Sequence, residues 1–353
     1  MITNRWVFDD EYPATILHRN TELDALSRLL SPTQHGLGAE NALIHGPSGV
    51  GKTASARWLL DNLRDEYGLE WSHIECSGKT RNGVLYEAVT KHSDGGVVHR
   101  NDPHGELLRA IEAAGGPYVV VLDEGDVVPD LDVLGDFLGA RGVSVIAISH
   151  SDTEWLNRVG PDLRPEFRGD NAIEFRKYHL EGLVDILEPR VEAGLVGRPI
   201  TDGQLEWIAD ETGGVARWAI KTILASAELA LERNHDAILE DDIADGFGRA
   251  KRKMREDNLR SLPVTYQRLY ELLRAIGPVS GSEMKQAYRN HKDAIFEGRR
   301  REVGWRQAQN YLSKMADYDL VEKPGETNAK QYSVVDDGLE APVEFDPRET
   351  AEP

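Results

Sequence analysis

At 353 residues and 40% apolar, the chain has length for two or three domains, and its one cysteine, Cys76, excludes an internal disulfide and any multi-cysteine metal site. Runs such as YVVVL are too short to cross a bilayer, and MITNRWVFDDEYP lacks the basic start and apolar core of a signal peptide, so a cytoplasmic protein is expected. The net charge of −20 would argue against a nucleic-acid partner were it uniform, but residues 249–330 hold 18 Lys+Arg against 11 Asp+Glu, a net of +7, with −6 on 331–353 and −21 on 1–248.

In chain order, residues 14–30 (ATILHRNTELDALSRLL) read as a loop and an amphipathic helix, with Leu23, Leu26, Leu29 and Leu30 at helical spacing. Short apolar runs then alternate with helical patterns: NALIHG, a helix from Lys52 to about Tyr67, WSHIEC, helices near 82–90 and 104–113, YVVVLDE, a short helix near 131–139, VSVIAISHS and AIEFRKY. That alternation predicts an α/β fold, a parallel sheet with helices on both faces. From 179 to about 260 the pattern is helical throughout, with Thr201 or Asp202 placed to cap the second helix. Beyond Pro263 come helices VTYQRLYELLRAI, SGSEMKQAYRN and WRQAQNYLSKMAD and a hairpin from LVEKP to QYSVV, the element order of a winged helix-turn-helix. The acidic end shows no period, and disorder is expected there. Domain boundaries fall at 177/178, 260/261 and 336/337, giving an α/β core, a helical segment, a winged helix and a tail over 337–353.

Residues 46–53, GPSGVGKT, fill every position of G-x-x-x-x-G-K-[ST] between a strand-like run and a helix. Gly46, Gly49 and Gly51 allow a tight turn, so that the loop they form with Pro47, Ser48 and Val50 wraps around phosphates and points N–H groups inward. Lys52 is placed to reach the β and γ phosphates, and Thr53 to put its hydroxyl on Mg²⁺. Seventy residues on, YVVVLDEGD ends a second strand in acids: Asp123 to hold the metal through water, Glu124 to orient or deprotonate an attacking water. ATP or ADP with Mg²⁺ is the expected cofactor set, and an adjacent Asp-Glu pair points to hydrolysis.

With GPSGVGKT, VVLDEGD, VIAISHSD and GGVAR in this order and spacing, the chain resembles an AAA+ ATPase. Together with ILHRNTELDAL and the C-terminal winged helix it is similar to the archaeal replication-initiator family, related to the eukaryotic origin recognition complex. The resemblance covers roughly residues 12–335 and makes 1–177 the AAA+ core and 178–260 the lid and a linker helix. It implies that Leu17, His18 and Arg19 lie beside the adenine and that a polar residue after the fourth strand senses the γ-phosphate. Here that position is Ser149-His150 rather than the family's usual Asn, which implies slow, regulatory hydrolysis. It implies an arginine finger in VGPDLRPEF, where Arg164 is the candidate with Arg168 behind it, worth roughly 10³–10⁵ in rate. Arg217 matches the lid arginine that contacts the γ-phosphate.

In WRQAQNYLSKMAD, Trp305, Ala308, Leu312 and Met315 share a face and are expected in the core, while Arg306, Gln309, Asn310 and Lys314 are expected to face double-stranded DNA. Arg suits guanine O6/N7 and Gln or Asn suits adenine N6/N7, each good pair discriminating by about 1–3 kcal/mol. Arg299, Arg300 and Arg301, with Lys323 and Lys330 in the wing, would serve phosphates. Arg also outnumbers Lys by more than two to one, and an acidic, lysine-poor surface suits a cytoplasm of molar salt, where the Debye length is roughly 3 Å. A halophilic source is expected. The resulting reading is an ATP-dependent initiator that binds origin repeats, with a replicative helicase and self-association on DNA as partners the family implies. Two rivals remain: a DNA-binding paralogue in plasmid replication or transcription control, and a signalling ATPase whose winged helix binds protein.

Overall fold

The runs ALIH, YVVVLD and VSVIAIS are apolar at successive positions, a pattern suited to strands covered on both faces. In the computed structural model, which describes residues 1–12, 15–125, 131–298, 302–323 and 331–345, they lie in a sheet of that kind. The strands are β1 (Ala42–His45), β2 (Glu70–Glu75), β3 (Tyr118–Asp123), β4 (Val143–Ser149) and β5 (Ala172–Glu174), all parallel, in the order β2-β3-β4-β1-β5. Ala42, Ile44, Val119, Val121, Ile146 and Ile148 pack on one side with α1 (Asn20–Leu30) and α2 (Lys52–Tyr67). Leu43, Val120, Leu122, Val145 and Ala147 pack on the other with α3 (Arg81–Lys91), α4 (His104–Ala114), α5 (Asp132–Gly139) and α6 (Asp152–Arg158). Burial of each such side chain contributes about 1.5–3 kcal/mol. Because all strands run the same way, β1, β3 and β4 deliver their C-terminal loops to one edge, the usual ligand edge of an open α/β sheet.

The helical segment folds as α7 (Leu180–Gly194), α8 (Asp202–Glu211) and α9 (Ala216–Glu232) around a core that includes Leu183, Leu187, Leu205, Ile208 and Ile223. Thr201 is the cap of α8: its hydroxyl accepts the Gln204 N–H, and the Gln204 side chain accepts the Thr201 N–H in return. Val7 and Phe8, in a 3-10 turn over Arg5–Phe8, are wholly buried in this same core. The first eight residues, grouped with the α/β core on sequence alone, therefore pack with the lid; two adjacent apolar residues carry too little periodicity to name their partner.

The chain divides into two compact units, Met1–Phe247 and Gly248–Pro353, and the division falls inside α10 (Glu240–Ser261). The second unit contains α11 (Val264–Ile276), α12 (Gly281–Asn290), a short α13 (Lys292–Ile295), α14 (Trp305–Asp317) and an antiparallel pair, β6 (Val321–Glu322) with β7 (Ser333–Val334). This is the expected helix and hairpin order with one extra turn. Residues 338–345 correct the expectation of disorder. Leu339 and Ala341 are buried, and Val343 and Phe345 pack beside them, an i, i+2 stripe hidden among acids. The Tyr270 hydroxyl lies 3.2 Å from the Asp336 carbonyl and 3.1 Å from that of Leu339, and the Ala341 N–H donates to the Glu271 carboxylate at 2.7 Å. Residues 346–353 of the expected tail lie outside the described residues. Among the described residues, no helix is long and apolar enough to cross a membrane.

Candidate nucleotide site and nucleic-acid interface

The phosphate loop is shaped by what a side chain would hit. Gly46 has φ +140°, and a Cβ there would sit 2.1 Å from the Phe175 carbonyl oxygen; Gly49 has φ +74°, with the Cβ of Arg217 and a Val215 methyl 2.9 Å from where its own would be. Gly51, at φ +91°, is the N-cap of the 16-residue α2, whose first N–H groups and dipole open toward the loop. Lys52 follows, only 8% exposed, and its ammonium donates to the carbonyls of Gly46 and Pro47 at 2.6 and 2.7 Å. The loop thus surrounds a cation it has already desolvated.

Asp123, at the end of β3, accepts from the Thr53 hydroxyl at 2.8 Å and from the Glu124 N–H at 2.9 Å, and lies 2.9 Å from His73 Nε2. Burial alone would raise its pKa; the bonds from His73, Thr53 and the Glu124 N–H outweigh that and hold the carboxyl below the ordinary aspartate value. Thr53 and Asp123, expected to share a metal, are brought together. Glu124 itself sits at φ +55°, a conformation costing a non-glycine residue roughly 1–3 kcal/mol and characteristic of functional positions. His150 lies one residue past β4, where Ser149 is level with His45 of β1, so it borders the same edge.

The leading segment braces the loop. Arg19 is 3% exposed; it donates to Glu22 at 2.7 Å, to the Val50 carbonyl at 2.9 Å and to the Arg176 carbonyl at 2.7 Å, and its guanidinium stacks on Tyr178 at 3.8 Å. Its side chain is committed to protein partners, so its contribution is to fix the loop. His18, at φ +56°, pairs with Asp185 of α7 at 2.7 Å, and Leu17 before it is half-buried. From the lid, the Arg217 N–H donates to the Gly49 carbonyl at 3.1 Å, so the start of α9 rests on the phosphate loop. The Arg217 guanidinium meets Asp10 at 2.9 Å. Arg164 is half-buried and its guanidinium donates to the carbonyls of Val159 at 2.9 Å and Asn157 at 3.4 Å, closing the C-terminal end of α6; Arg168 is exposed.

Two residues at this edge escape a sequence reading. His73 reaches Asp123 only because β2 lies beside β3, with Glu75 level with Asp123, and strand order is not written in a sequence. Trp155 lies beneath the acid loop: a Cβ on Gly125 would sit 3.1 Å from its indole nitrogen, and its ring meets Phe167 edge-on at 4.9 Å.

On α14, Ala308, Leu312 and Met315 are fully buried and Trp305 packs beside them, which leaves Arg306, Gln309 and Asn310 exposed. Lys314 departs from expectation: it is 2% exposed, with its ammonium 4.3 Å over the Tyr318 ring. The chain turns back after the helix, the Tyr318 N–H donating to the Lys314 carbonyl at 3.2 Å, and covers the face that simple periodicity leaves open. Lys323 donates to Ser313 at 3.3 Å and is half-buried. Arg299, Arg300, Arg301 and Lys330 lie outside the described residues.

Residues 15–142 match the AAA ATPase domain family, so the core is of a nucleotide-binding class. The fold is similar to the Aeropyrum pernix ORC1 protein solved in complex with DNA (TM-score 0.68, 21% identity, 94% of this chain and 93% of that one) and to Cdc6p from Pyrobaculum aerophilum (TM-score 0.62, 22% identity, 95% and 94%). In sequence, the chain is 32% identical to ORC1-type DNA replication protein 9 of Halobacterium salinarum over 92% of its length and 91% of the relative's. It is 31% identical to ORC1-type DNA replication protein 1 of the same organism over 83% and 97%. Similarity at this level over most of both chains makes the chain a member of the ORC1-type DNA replication protein family.

Proposed function

We propose that this protein is a replication initiator of a salt-adapted archaeal cytoplasm, binding origin DNA through its C-terminal unit under the control of ATP. The observation that carries the reading is the contact between lid and phosphate loop, the Arg217 N–H on the Gly49 carbonyl, because it ties the nucleotide's seat to the element that leads into α10 and the basic unit. Lys52 and the N-terminus of α2 supply positive charge for the β and γ phosphates. The oxygen donors Thr53 and Asp123, 2.8 Å apart, fit a magnesium ion, and Mg²⁺ when bound offsets phosphate charge. Glu124 accepts a proton from the attacking water, and His150 donates a hydrogen bond at the γ-phosphate. The imidazole at position 150, in place of the amide the family resemblance leads one to expect, supports slow hydrolysis that resets a switch. Arg164, which must leave the α6 carbonyls to do so, is the candidate finger for a neighbouring copy's nucleotide, with Arg168 behind it.

Arg306, Gln309 and Asn310 read base edges and Lys323 approaches phosphate. In molar salt the phosphate contribution weakens, since log K falls with log salt for every phosphate neutralised, so base contacts and shape carry more of the affinity. The test is footprinting on the DNA flanking the protein's own gene, with no nucleotide, ADP and ATP, at molar KCl. Protection that depends on the nucleotide is expected. Equal protection in all three states removes the switch, and no protection with intact ATP binding favours a signalling ATPase.

A further inference from the structure

The N-terminal segment places two acids against two cations of α9. Val7 and Phe8 anchor it: Phe8 lies against Gly194 so closely that a Cβ there would fall 2.4 Å from its ring, and Arg190 donates to the Val7 carbonyl. On the far side of the turn, Tyr12 is stacked under the Arg190 guanidinium at 5.2 Å and meets the Trp6 ring edge-on at 5.1 Å. Asp9 and Asp10 are therefore delivered by a loop fixed at both ends. Asp10 Oδ2 lies 2.9 Å from the Arg217 guanidinium, while Lys221 Nζ lies 3.4 Å from Asp9 and 4.0 Å from Asp10. Arg217 and Lys221 are four apart on α9 and share a face. The Arg217 backbone rests on Gly49 of the phosphate loop, so this face borders the nucleotide's seat.

We propose that Asp10 is a positioning residue for Arg217: its carboxylate holds the guanidinium at the mouth of the phosphate loop and competes for it with the terminal phosphate of a nucleoside triphosphate. The inference rests on Arg217 being the lid's γ-phosphate contact. A diphosphate has no γ-phosphate to make that contact, so the competition penalises the triphosphate and lowers the ATP-to-ADP preference. Asp10 is half exposed and its pair is worth what exposed ion pairs are worth, which translates to roughly a two- to five-fold effect on affinity. A buried pair would lock the site; an exposed one tunes it.

The test uses the full chain and titrates ADP and a non-hydrolysable ATP analogue into wild type, Asp10→Asn, Arg217→Ala and the double variant, with melting temperatures as a check on folding. Asp10→Asn is expected to tighten the ATP analogue roughly two- to five-fold, leave ADP unchanged, and lose most of that gain between about 0.2 M and about 2 M KCl as screening takes over. Arg217→Ala should lower the preference for the triphosphate, the remainder resting on Lys52 and His150, and Asp10→Asn should add nothing in that background. If Arg217→Ala lowers the preference while Asp10→Asn leaves it unchanged or lowers it too, competition by Asp10 is wrong and the role of Arg217 stands. If Arg217→Ala itself leaves the preference intact, both fall.

Discussion

The proposed function gives Lys52 and Arg306 each an anionic ligand, and the folded chain presents the two cations in opposite ways. Lys52 is desolvated in advance and held by two carbonyls of the loop it serves, beside glycines whose backbone leaves no room for a Cβ. Arg306 stands in solvent on a helix whose opposite face is packed in the core, and its neighbours Gln309 and Asn310 are exposed as well. The first site carries its cost in the folded chain, so that binding adds little reorganisation. On the proposed reading, the second defers that cost until DNA arrives, which would let one helix face test many sequences. A chemistry that must be performed identically each time is built rigid, and a recognition that must discriminate is built open.

The largest effect is expected at the hydrolytic end. Glu124→Gln should keep ATP affinity within about two-fold and lower single-turnover hydrolysis by roughly 10²–10⁴, the range of a lost general base. Unchanged turnover would remove Glu124 from the reaction and leave its left-handed backbone without a purpose. Lys52→Ala comes next. Losing a cation with charge-assisted bonds should weaken ATP by about 100-fold or more in a calorimetric titration. A loss of only a few-fold would mean that the loop's N–H groups and the α2 dipole do most of the holding, and the rigid site would owe less to its buried charge.

What a sequence discloses differs between the regions for the same reason. The phosphate loop is contiguous: eight residues contain the turn, the cation and the hydroxyl proposed for the metal, and the strand before and helix after them follow from local pattern. The pairing of Asp123 with Thr53 was legible because a strand ending in acids has few other uses after such a loop. His73 and Asp10 were not, since each acts across a strand order or a chain reversal that no local pattern encodes. Arg217 was half legible, its position given by GGVAR and its partner not. In the C-terminal unit, periodicity placed Ala308, Leu312 and Met315 in the core, then failed at Lys314, where the returning chain supplies a second burying surface. The stripe Leu339, Ala341, Val343 and Phe345 is hidden in the sequence because its acidic neighbours dominate the composition while the alternation does the packing.

Arg306→Ala sharpens the open side. It should cost about 1–3 kcal/mol of DNA affinity, concentrated at one base pair, with thermal stability unchanged, because the side chain is exposed and leaves no cavity. An equal loss across all DNA sequences would reassign Arg306 from base edge to phosphate, and the salt dependence of binding would fall with it.

Lys314→Ala is the smallest effect on DNA and the sharpest test of the contrast. Sequence position alone puts Lys314 beside Arg306, Gln309 and Asn310, and a helix read without its surroundings would give both cations the same job. The structure separates them: Lys314 is 2% exposed under Tyr318, with its ammonium over the ring, so its aliphatic stem and cation–π contact belong to the core of the unit. Truncation should therefore cost about 1–3 kcal/mol of stability, read as a lower melting temperature, and leave DNA affinity at a temperature where both proteins are folded within about two-fold. A loss of affinity with stability intact would show that the segment after α14 opens when DNA binds, exposing the ammonium. The recognition surface would then be prepared in part like the phosphate loop, with a cation stored inside the protein until its anion comes.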